Sequence, residues 1–242
     1  MNLCIDRGNS STKIGIFKEN KLVEASVFNN FGLNEITNLF IKFPIEASIL
    51  SSVVENNDEI IRELKSKSKY FVELTHETAL PITNLYETPE TLGKDRIAVV
   101  VGANFLKSDS DLLVIDAGTA ITYDFINHKN EYLGGNIAPG LHMRLQAMHH
   151  FTSKLPLVEA EFESPFFGTD TKSAILAGAF QGIIFEIDGY INSLKIKYLQ
   201  LSTFLTGGST FYFANKLKNT IFAEKNLVLI GLNRILEYNV QN

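Results

Sequence analysis

The sequence predicts a protein of strand and helix layers, of the α/β or α+β class, built from two similar halves. Short strands come in threes and are followed by helices, which is the order expected of mixed layers. A shift of 110 positions, from Leu3 to Leu113, aligns the opening strand–turn–strand unit with a second copy in the 242-residue chain. Because this shift is close to half the length, we interpret it as a duplication with halves at 1–109 and 110–242.

Each copy of the repeat consists of an apolar strand, an Asp-x-Gly turn, small hydroxyl residues and a second strand. The aligned pairs are Leu3 and Leu113, Ile5 and Ile115, Asp6 and Asp116, Gly8 and Gly118, and Thr12 and Thr122. One such loop alone is best explained as a hairpin, because Asp, Gly and Asn are common turn residues. Two of them favour a phosphate site, since glycine turns can form anion nests and the hydroxyls add donors. The two aspartates then require a cation, either hydrated Mg²⁺ or a monovalent ion.

In the first half, apolar periodicity distinguishes strands from helices. Alternating or continuous apolar segments predict strands at 2–7, 11–18, 21–28, 46–54 and 70–74. Helical spacing predicts helices at 33–42 and 58–66, and a further helix that begins near Gly93. The connection from 75 to 93 is irregular, and a loop of this length is often functional.

The strand pattern returns in the second half and is followed by a long helix. Strand patterns cover 111–126, 131–140 and 202–208. Helical patterns cover 141–150, 171–197 and 228–238, with a proline-containing loop between the first two. The sequence contains no flexible linker and no low-complexity segment.

Composition limits the function classes. A net charge of -5 argues against a nucleic-acid-binding protein, which usually carries a basic face. No apolar run approaches the roughly 20 residues of a membrane helix, and Asp6 and Arg7 interrupt the region where a signal peptide would be apolar. The single cysteine, Cys4, excludes an intramolecular disulfide and fits a reducing compartment. We therefore expect a cytoplasmic protein without nucleic-acid or membrane partners.

The irregular loop ends in YETPETLGKDR, residues 86–96. Gly93 frees the backbone before a helix whose first turn contains Asp95 and Arg96. An acid at this position is favoured by the helix dipole alone. It would equally serve as the base for a substrate hydroxyl, with the guanidinium holding an anionic part of the substrate. From the residues alone, both interpretations stay open.

Three further glycine motifs each have a structural and a functional interpretation. They are GGNIAPG (134–140), GTDTKSAILAG (168–178) and FLTGGST (204–210). Tight strand-to-helix turns and helix capping explain them as well as ligand contacts do. The chain lacks the P-loop, GxGxxG and GxSxG motifs, and its histidines have no metal-site spacing.

Taken together, these motifs resemble the type III pantothenate kinase family. Paired DxGN[ST] and DxGTAxTxD loops mark the superfamily of actin, hexokinase and the heat-shock chaperone ATPases. YxxPxxLGxDR, GGxIxPG, a GxxT helix start and TGG follow in the family's order, from Asp6 to Gly208. The resemblance implies an α/β fold of duplicated ribonuclease H-like domains, each a mixed sheet flanked by helices, with the nucleotide cleft between them. It also implies transfer of the γ-phosphate of ATP to the primary hydroxyl of pantothenate, which gives 4'-phosphopantothenate in the first step of coenzyme A biosynthesis.

The resemblance also assigns roles to individual residues. Asp95 would be the catalytic proton acceptor. ATP would be bound by Asp6, Arg7, Gly8, Asn9, Ser10, Ser11, Thr12, Lys13 and Thr119. Pantothenate would be bound by Tyr86, Gly93, Lys94, Asp95, Arg96 and Thr171. Asp116 would hold a monovalent cation, K⁺ or NH₄⁺, and Asp6 would hold Mg²⁺ through water. The implied assembly is a homodimer with the pantothenate site at the subunit interface.

Departures from the family pattern are small. Arg7 and Lys94 occupy positions that are usually small or apolar, and Ser10 replaces threonine. We expect the two extra positive charges to hold phosphate or the pantothenate carboxylate. One alternative is a sugar kinase of the same superfamily, for which this chain is short. Another is a non-catalytic nucleotide-binding relative that regulates transcription, which would have no need to retain Asp95.

Overall fold

The computed structural model describes residues 1–8, 11–54 and 58–241, and packing divides the chain into two compact units. The first unit comprises Met1–Asp109, Lys129–Leu133 and Asn226–Asn242, and the second comprises Ser110–His128 and Gly134–Lys225. The halves inferred from the repeat are continuous in sequence. The units defined by packing are interleaved, because the C-terminal helix belongs to the first.

Strands and helices occur in both halves of the chain. The strands are β1 (Asn2–Arg7), β2 (Thr12–Lys18), β3 (Lys21–Phe28), β4 (Ala47–Ser52), β5 (Tyr70–Glu73), β6 (Thr83–Asn84), β7 (Leu112–Ala117), β8 (Ala120–Ile126), β9 (Glu131–Pro139), β10 (Ser202–Thr206) and β11 (Phe222–Ala223). The helices are α1 (Leu33–Lys42), α2 (Asp58–Lys67), α3 (Lys94–Leu106), α4 (Leu141–His150), α5 (Thr171–Lys197), α6 (Thr210–Phe213) and α7 (Leu227–Gln241). A single 3₁₀ turn, Pro89–Thr91, precedes α3.

The first unit contains a mixed five-stranded sheet in the order β3-β2-β1-β4-β5. β1 pairs antiparallel with β2 and parallel with β4, so Asp6 lies opposite Lys13 on one side and Ser51 on the other. Leu3 and Ile5 of β1 pack with α1 and α2 in one apolar cluster. Because side chains alternate along a strand, Asp6 faces the opposite side of the sheet.

That opposite side is covered by α7, which contacts β1, β2, β4 and β5 and packs along α3. Glycines allow the two helices to approach closely. A Cβ added to Gly231 would collide with the Ala98 carbonyl oxygen of α3, and one added to Gly102 would collide with the Leu227 carbonyl oxygen of α7. The first unit thus has helices on both faces of a mixed sheet.

The second unit contains β11, β10, β7, β8 and the later part of β9, in that order. β7 pairs antiparallel with β8 and parallel with β10. The residues of β9 that belong to the first unit pair there with β6, which runs parallel to them. The two units share this arrangement. In each, the first strand of an antiparallel hairpin carries an aspartate near its end, Asp6 or Asp116, and a parallel strand pairs with its other edge.

Helix α5 is the core helix of the second unit. Its 27 residues are long and apolar enough to cross a membrane by length and composition alone. Ten of its side chains are buried, and most of these pack on β7, β8 and β10. Burial of this kind is what a core helix of a folded domain shows.

Candidate active site

Asp6 is the last residue but one of β1, at the edge where the parallel strand β4 also ends. The Ser51 hydroxyl of β4 donates a hydrogen bond of 3.3 Å to Asp6 Oδ1. The pKa of Asp6 is raised to about 6, mainly by burial and in part by the Asp95 charge, while Lys13 and the Ser51 hydrogen bond act in the opposite direction. Because burial disfavours the ionised form of Asp6, a cation bound nearby would stabilise that form.

Asp95 also belongs to the first unit, and it is near enough to Asp6 for its charge to raise the pKa of the Asp6 carboxyl. Asp95 lies in the first turn of α3, where its Oδ1 accepts the backbone N–H of Arg96 at 2.8 Å. A Cβ on the preceding Gly93 would lie 2.6 Å from that same Oδ1. Asp95 therefore makes a hydrogen bond at the helix start, and its charge acts on Asp6.

Arg96 and Tyr86 form the second part of this group. Arg96 is only 5% exposed, and its guanidinium lies 5.5 Å above the centre of the Tyr86 ring. Tyr86 stacks on Tyr132 at 6.1 Å, and its backbone N–H is accepted by the Asn84 side chain. The irregular loop is thus tied to the start of α3 by a cation–π contact.

Lys94 is half-buried beside the same helix start. It lines a cavity of about 190 Å³ together with Thr75, His76, Asn84 and Glu90. The cavity walls also include apolar side chains from the loop and from α3. Lys94 therefore carries a positive charge on the wall of this cavity, one residue before Asp95 in the sequence.

The loop after β1 is described only in part, because Asn9 and Ser10 lie outside the described residues. The Gly8 N–H donates to the Ser11 carbonyl at 3.0 Å, so this N–H is engaged within the loop. Arg7 follows Asp6 and therefore faces the α1–α2 side. It lines a cavity of about 420 Å³ with Gly8, Ser11, Thr12 and Glu35. The side chains of Asp6 and Arg7 thus point to opposite faces of the sheet.

The corresponding loop of the second unit begins at Asp116. In register, Asp116 lies between Thr122 of β8 and Thr206 of β10. Gly207 has a φ of +97°, and a Cβ there would collide with Asp116 Oδ1. Among the described residues, the buried Thr122 hydroxyl has no hydrogen-bond partner. A carboxylate, an unpaired hydroxyl and backbone kept close by glycine form an oxygen-rich group that suits a hard cation.

Thr119 and Thr171 are also in the second unit. Thr119 is exposed, and its carbonyl accepts the N–H of Gly140 at 3.1 Å. Thr171 is the first residue of α5 and is exposed. The capping role belongs to the neighbouring Asp170, whose carboxylate accepts the N–H groups of Lys172 and Ser173. The Thr171 side chain is therefore not part of the cap, and the residue is exposed at the start of α5.

The described residues contain no group of three or more His, Cys, Asp or Glu side chains that could hold a metal ion. A divalent cation at this site would therefore depend on one or two carboxylates, on water and on phosphate oxygens. That pattern is the usual one for Mg²⁺ in enzymes that act on nucleotides.

Sequence reasoning missed two residues of the first-unit site. Ser51 was detectable in principle, because it is a polar residue in the apolar segment EASILSSVV and is paired with Asp6. Tyr132 carries no local signal, since its contact with Tyr86 depends on the pairing of β6 with β9.

Comparison with solved structures shows the fold. The chain is similar to a ROK hexokinase from Thermus thermophilus, with a TM-score of 0.53, 12% identity and coverage of 98% of this chain and 99% of the other. It is also similar to the activator of 2-hydroxyisocaproyl-CoA dehydratase from Clostridium difficile, crystallised with bound ADPNP, with a TM-score of 0.52, 12% identity and coverage of 98% and 93%. The fold is therefore that of the actin/hexokinase-like ATPases, and the fold prediction is confirmed.

The family follows from closer relatives. A model of the type III pantothenate kinase family matches residues 2–193. Type III pantothenate kinases of Phocaeicola vulgatus and Porphyromonas gingivalis W83 are 49% and 40% identical, and each alignment covers 99% of both chains. The chain belongs to the type III pantothenate kinase family, a family of ATP-dependent kinases, and the family predicted from the motifs is confirmed.

Proposed function

We propose that this chain transfers the γ-phosphate of ATP to the primary hydroxyl of pantothenate and releases 4'-phosphopantothenate, the first intermediate on the way to coenzyme A. The observation that supports the proposal is the placement of Asp95. Its charge raises the pKa of Asp6, and it adjoins Arg96, whose guanidinium contacts the Tyr86 ring, in a chain that belongs to a pantothenate kinase family. In this proposal Asp95 is the base, Arg96 binds an anionic group and Asp6 binds the cation.

The loops after β1 and β7 bind the phosphates of ATP in this proposal. The contacts come from Asp6, Gly8, Asn9, Ser10, Ser11, Thr12 and Lys13, and from Thr119 of the second unit. ATP-dependent kinases generally use a divalent metal such as Mg²⁺, which neutralises the charge that develops on the phosphates. Asp6 holds this ion through water, and Asp116 holds a monovalent cation. Arg7 contributes backbone contacts, because its side chain lines the cavity on the other face of the sheet.

Pantothenate lies over the start of α3. Asp95 accepts the proton of the attacking hydroxyl, a contribution of about 10²–10⁴-fold in rate for a positioned base. Arg96 and Lys94 bind the anionic end, and Tyr86 and Gly93 form the wall of the site. Phosphoryl transfer needs little covalent assistance, so most of the catalysis comes from holding these groups in line.

The active assembly in this proposal is a cytoplasmic homodimer in which Thr171 of one subunit contacts pantothenate bound by the other. The exposed position of Thr171 at the start of α5, outside the cap formed by Asp170, supports this role.

A second candidate is a nucleotide-binding protein without kinase activity. The chain is similar to a conserved protein of Campylobacter jejuni assigned to the Baf family of transcriptional activators, with a TM-score of 0.63, 25% identity and coverage of 99% and 100%. Retention of Asp6, Asp95, Arg96 and Asp116 favours catalysis, because binding a nucleotide as a sensor has no need of a base.

The test is ADP release from ATP and Mg²⁺, with and without pantothenate, in K⁺, NH₄⁺ and Na⁺ buffers, with glucose as a control acceptor. We expect release that depends on pantothenate and is faster in K⁺ or NH₄⁺ than in Na⁺. Release with glucose alone would indicate a sugar kinase. Nucleotide binding without ADP release under any cation would indicate the non-catalytic alternative.

A further inference from the structure

A hydrogen-bonded network in the second unit centres on Glu186 of α5. The Tyr123 hydroxyl donates to Glu186 Oε1 at 2.7 Å, and Arg144 Nη2 donates to Oε2 at 2.6 Å. The Arg144 and Glu186 side chains are 19% and 26% exposed, and Tyr123 is 2% exposed. Both carboxylate oxygens are thus engaged by donors from different elements, and charge-assisted bonds of this kind are among the stronger ones in proteins.

Arg144 makes a further bond on another edge of its guanidinium. Its Nε donates to the Pro139 carbonyl at 2.8 Å, at the end of β9. The guanidinium is planar and rigid, so the direction imposed by Glu186 determines where the Pro139 carbonyl is held. A lysine could keep the ion pair but could not serve both acceptors in this geometry.

The residue after Pro139 contacts the turn that carries Thr119. Gly140 donates its N–H to the Thr119 carbonyl at 3.1 Å, and a Cβ at Gly140 would lie 2.6 Å from the Gly118 carbonyl oxygen. The backbones are therefore packed against each other with no space for a side chain. A shift of the Pro139–Gly140 corner must displace the turn at 118–119.

Tyr123 connects the network to the same turn from the other side, because β8 begins at Ala120. Its ring stacks on Tyr190 at 4.2 Å, and the Tyr190 hydroxyl accepts a hydrogen bond from Asn136 of β9 at 3.1 Å. Burial and the neighbouring Glu186 carboxylate raise the pKa of the Tyr123 hydroxyl well above its usual range. The hydroxyl consequently remains a donor at any working pH.

We propose that Arg144 is a positioning residue for nucleotide binding: with Glu186 and Tyr123 it holds the Pro139–Gly140 corner against which the Thr119 turn rests. The inference rests on the proposed contact of Thr119 with ATP. If this corner is loosened, the affinity for ATP should fall. The pantothenate-binding residues proposed in the first unit should be unchanged.

The test compares Arg144→Gln and Arg144→Lys with the unmodified full chain. Titration calorimetry gives the dissociation constant of MgATP, and steady-state kinetics give the Michaelis constant of pantothenate. For Arg144→Gln we expect MgATP to bind about tenfold more weakly, the order of one charge-assisted hydrogen bond. The Michaelis constant for pantothenate should stay within about twofold. Arg144→Lys should recover part of the affinity, because the ion pair with Glu186 persists.

Lys42→Met serves as the matched control. It removes an ion pair of the same 2.6 Å length, between Lys42 and Glu24 in the first unit. Because this pair is exposed, its loss should have little effect on thermal stability and none on MgATP affinity. Unchanged MgATP affinity in Arg144→Gln, or an equal loss for both substrates, would overturn the inference. A chain that binds MgATP in an Arg144-dependent way but never phosphorylates pantothenate would contradict the proposed function alone.

Discussion

At the scale of single residues, the site depends on two carboxylates, those of Asp6 and Asp95. They come from distant parts of the sequence, both belong to the first unit, and the Asp95 charge raises the pKa of Asp6. The repeat made Asp6 predictable as a cation ligand. It could not show that Asp95 is close, because that requires the loop from 75 to 93 to return to the end of β1. The opposite orientations of Asp6 and Arg7, in contrast, follow from strand alternation alone.

The raised pKa of Asp6 predicts how ATP binding depends on pH. Mg²⁺ and ATP need the ionised carboxylate, and the folded protein without ligand protonates Asp6 below a pH of about 6. Affinity for MgATP should therefore be constant above this pH and fall by up to about tenfold per pH unit below it. Calorimetric titration at a series of pH values measures the effect.

Two variants separate this cause from general acid effects. Asp6→Asn should bind MgATP weakly with no inflection near pH 6. Asp95→Asn removes the charge that raises the Asp6 pKa, so its inflection should move to lower pH. An inflection that stays in place in Asp6→Asn would show that another group is responsible.

At the scale of elements, the sequence predicts where helices begin better than where they pack. The glycine and polar residues before Lys94 and Thr171 mark the starts of α3 and α5, as local backbone chemistry requires. The partner of α7 was not predictable, since Gly102 and Gly231 are only two of the chain's 16 glycines until the helices are placed together.

Two helical glycines should respond to alanine in opposite directions. Gly231→Ala places a methyl group against the Ala98 carbonyl and should lower the free energy of unfolding by about 1–3 kcal/mol. Gly189→Ala in α5 is the control, because among the described residues no atom beyond its chain neighbours and the nearby backbone of its own helix lies within 4 Å of its added Cβ. It should be neutral or stabilise the protein by up to about 1 kcal/mol. Urea denaturation measures both; equal effects would contradict the close packing of α3 and α7.

At the scale of the whole molecule, the repeat predicted two similar sheet-and-helix modules but not their boundaries in space. The last helix of the chain completes the first unit, where Leu232, Ile235 and Leu236 are fully buried. No local sequence pattern predicts that α7 packs in the first unit, because its apolar face could pack equally well against many other apolar surfaces. The family could be predicted for another reason. Its motifs consist of particular residue types in a fixed order, and these can be read from the sequence without knowledge of the packing.

The central claim is that this fold phosphorylates pantothenate with Asp95 as the base. The measurement is single-turnover formation of phosphopantothenate, monitored by mass spectrometry, in Asp95→Asn and in Glu87→Gln. The second variant removes an exposed charge from the loop that precedes α3. We predict that Asp95→Asn slows the reaction by about 10²–10⁴-fold while MgATP still binds at pH 8, and that Glu87→Gln reacts normally. Near-normal turnover in Asp95→Asn would contradict the account and leave Asp95 as a residue that only begins a helix.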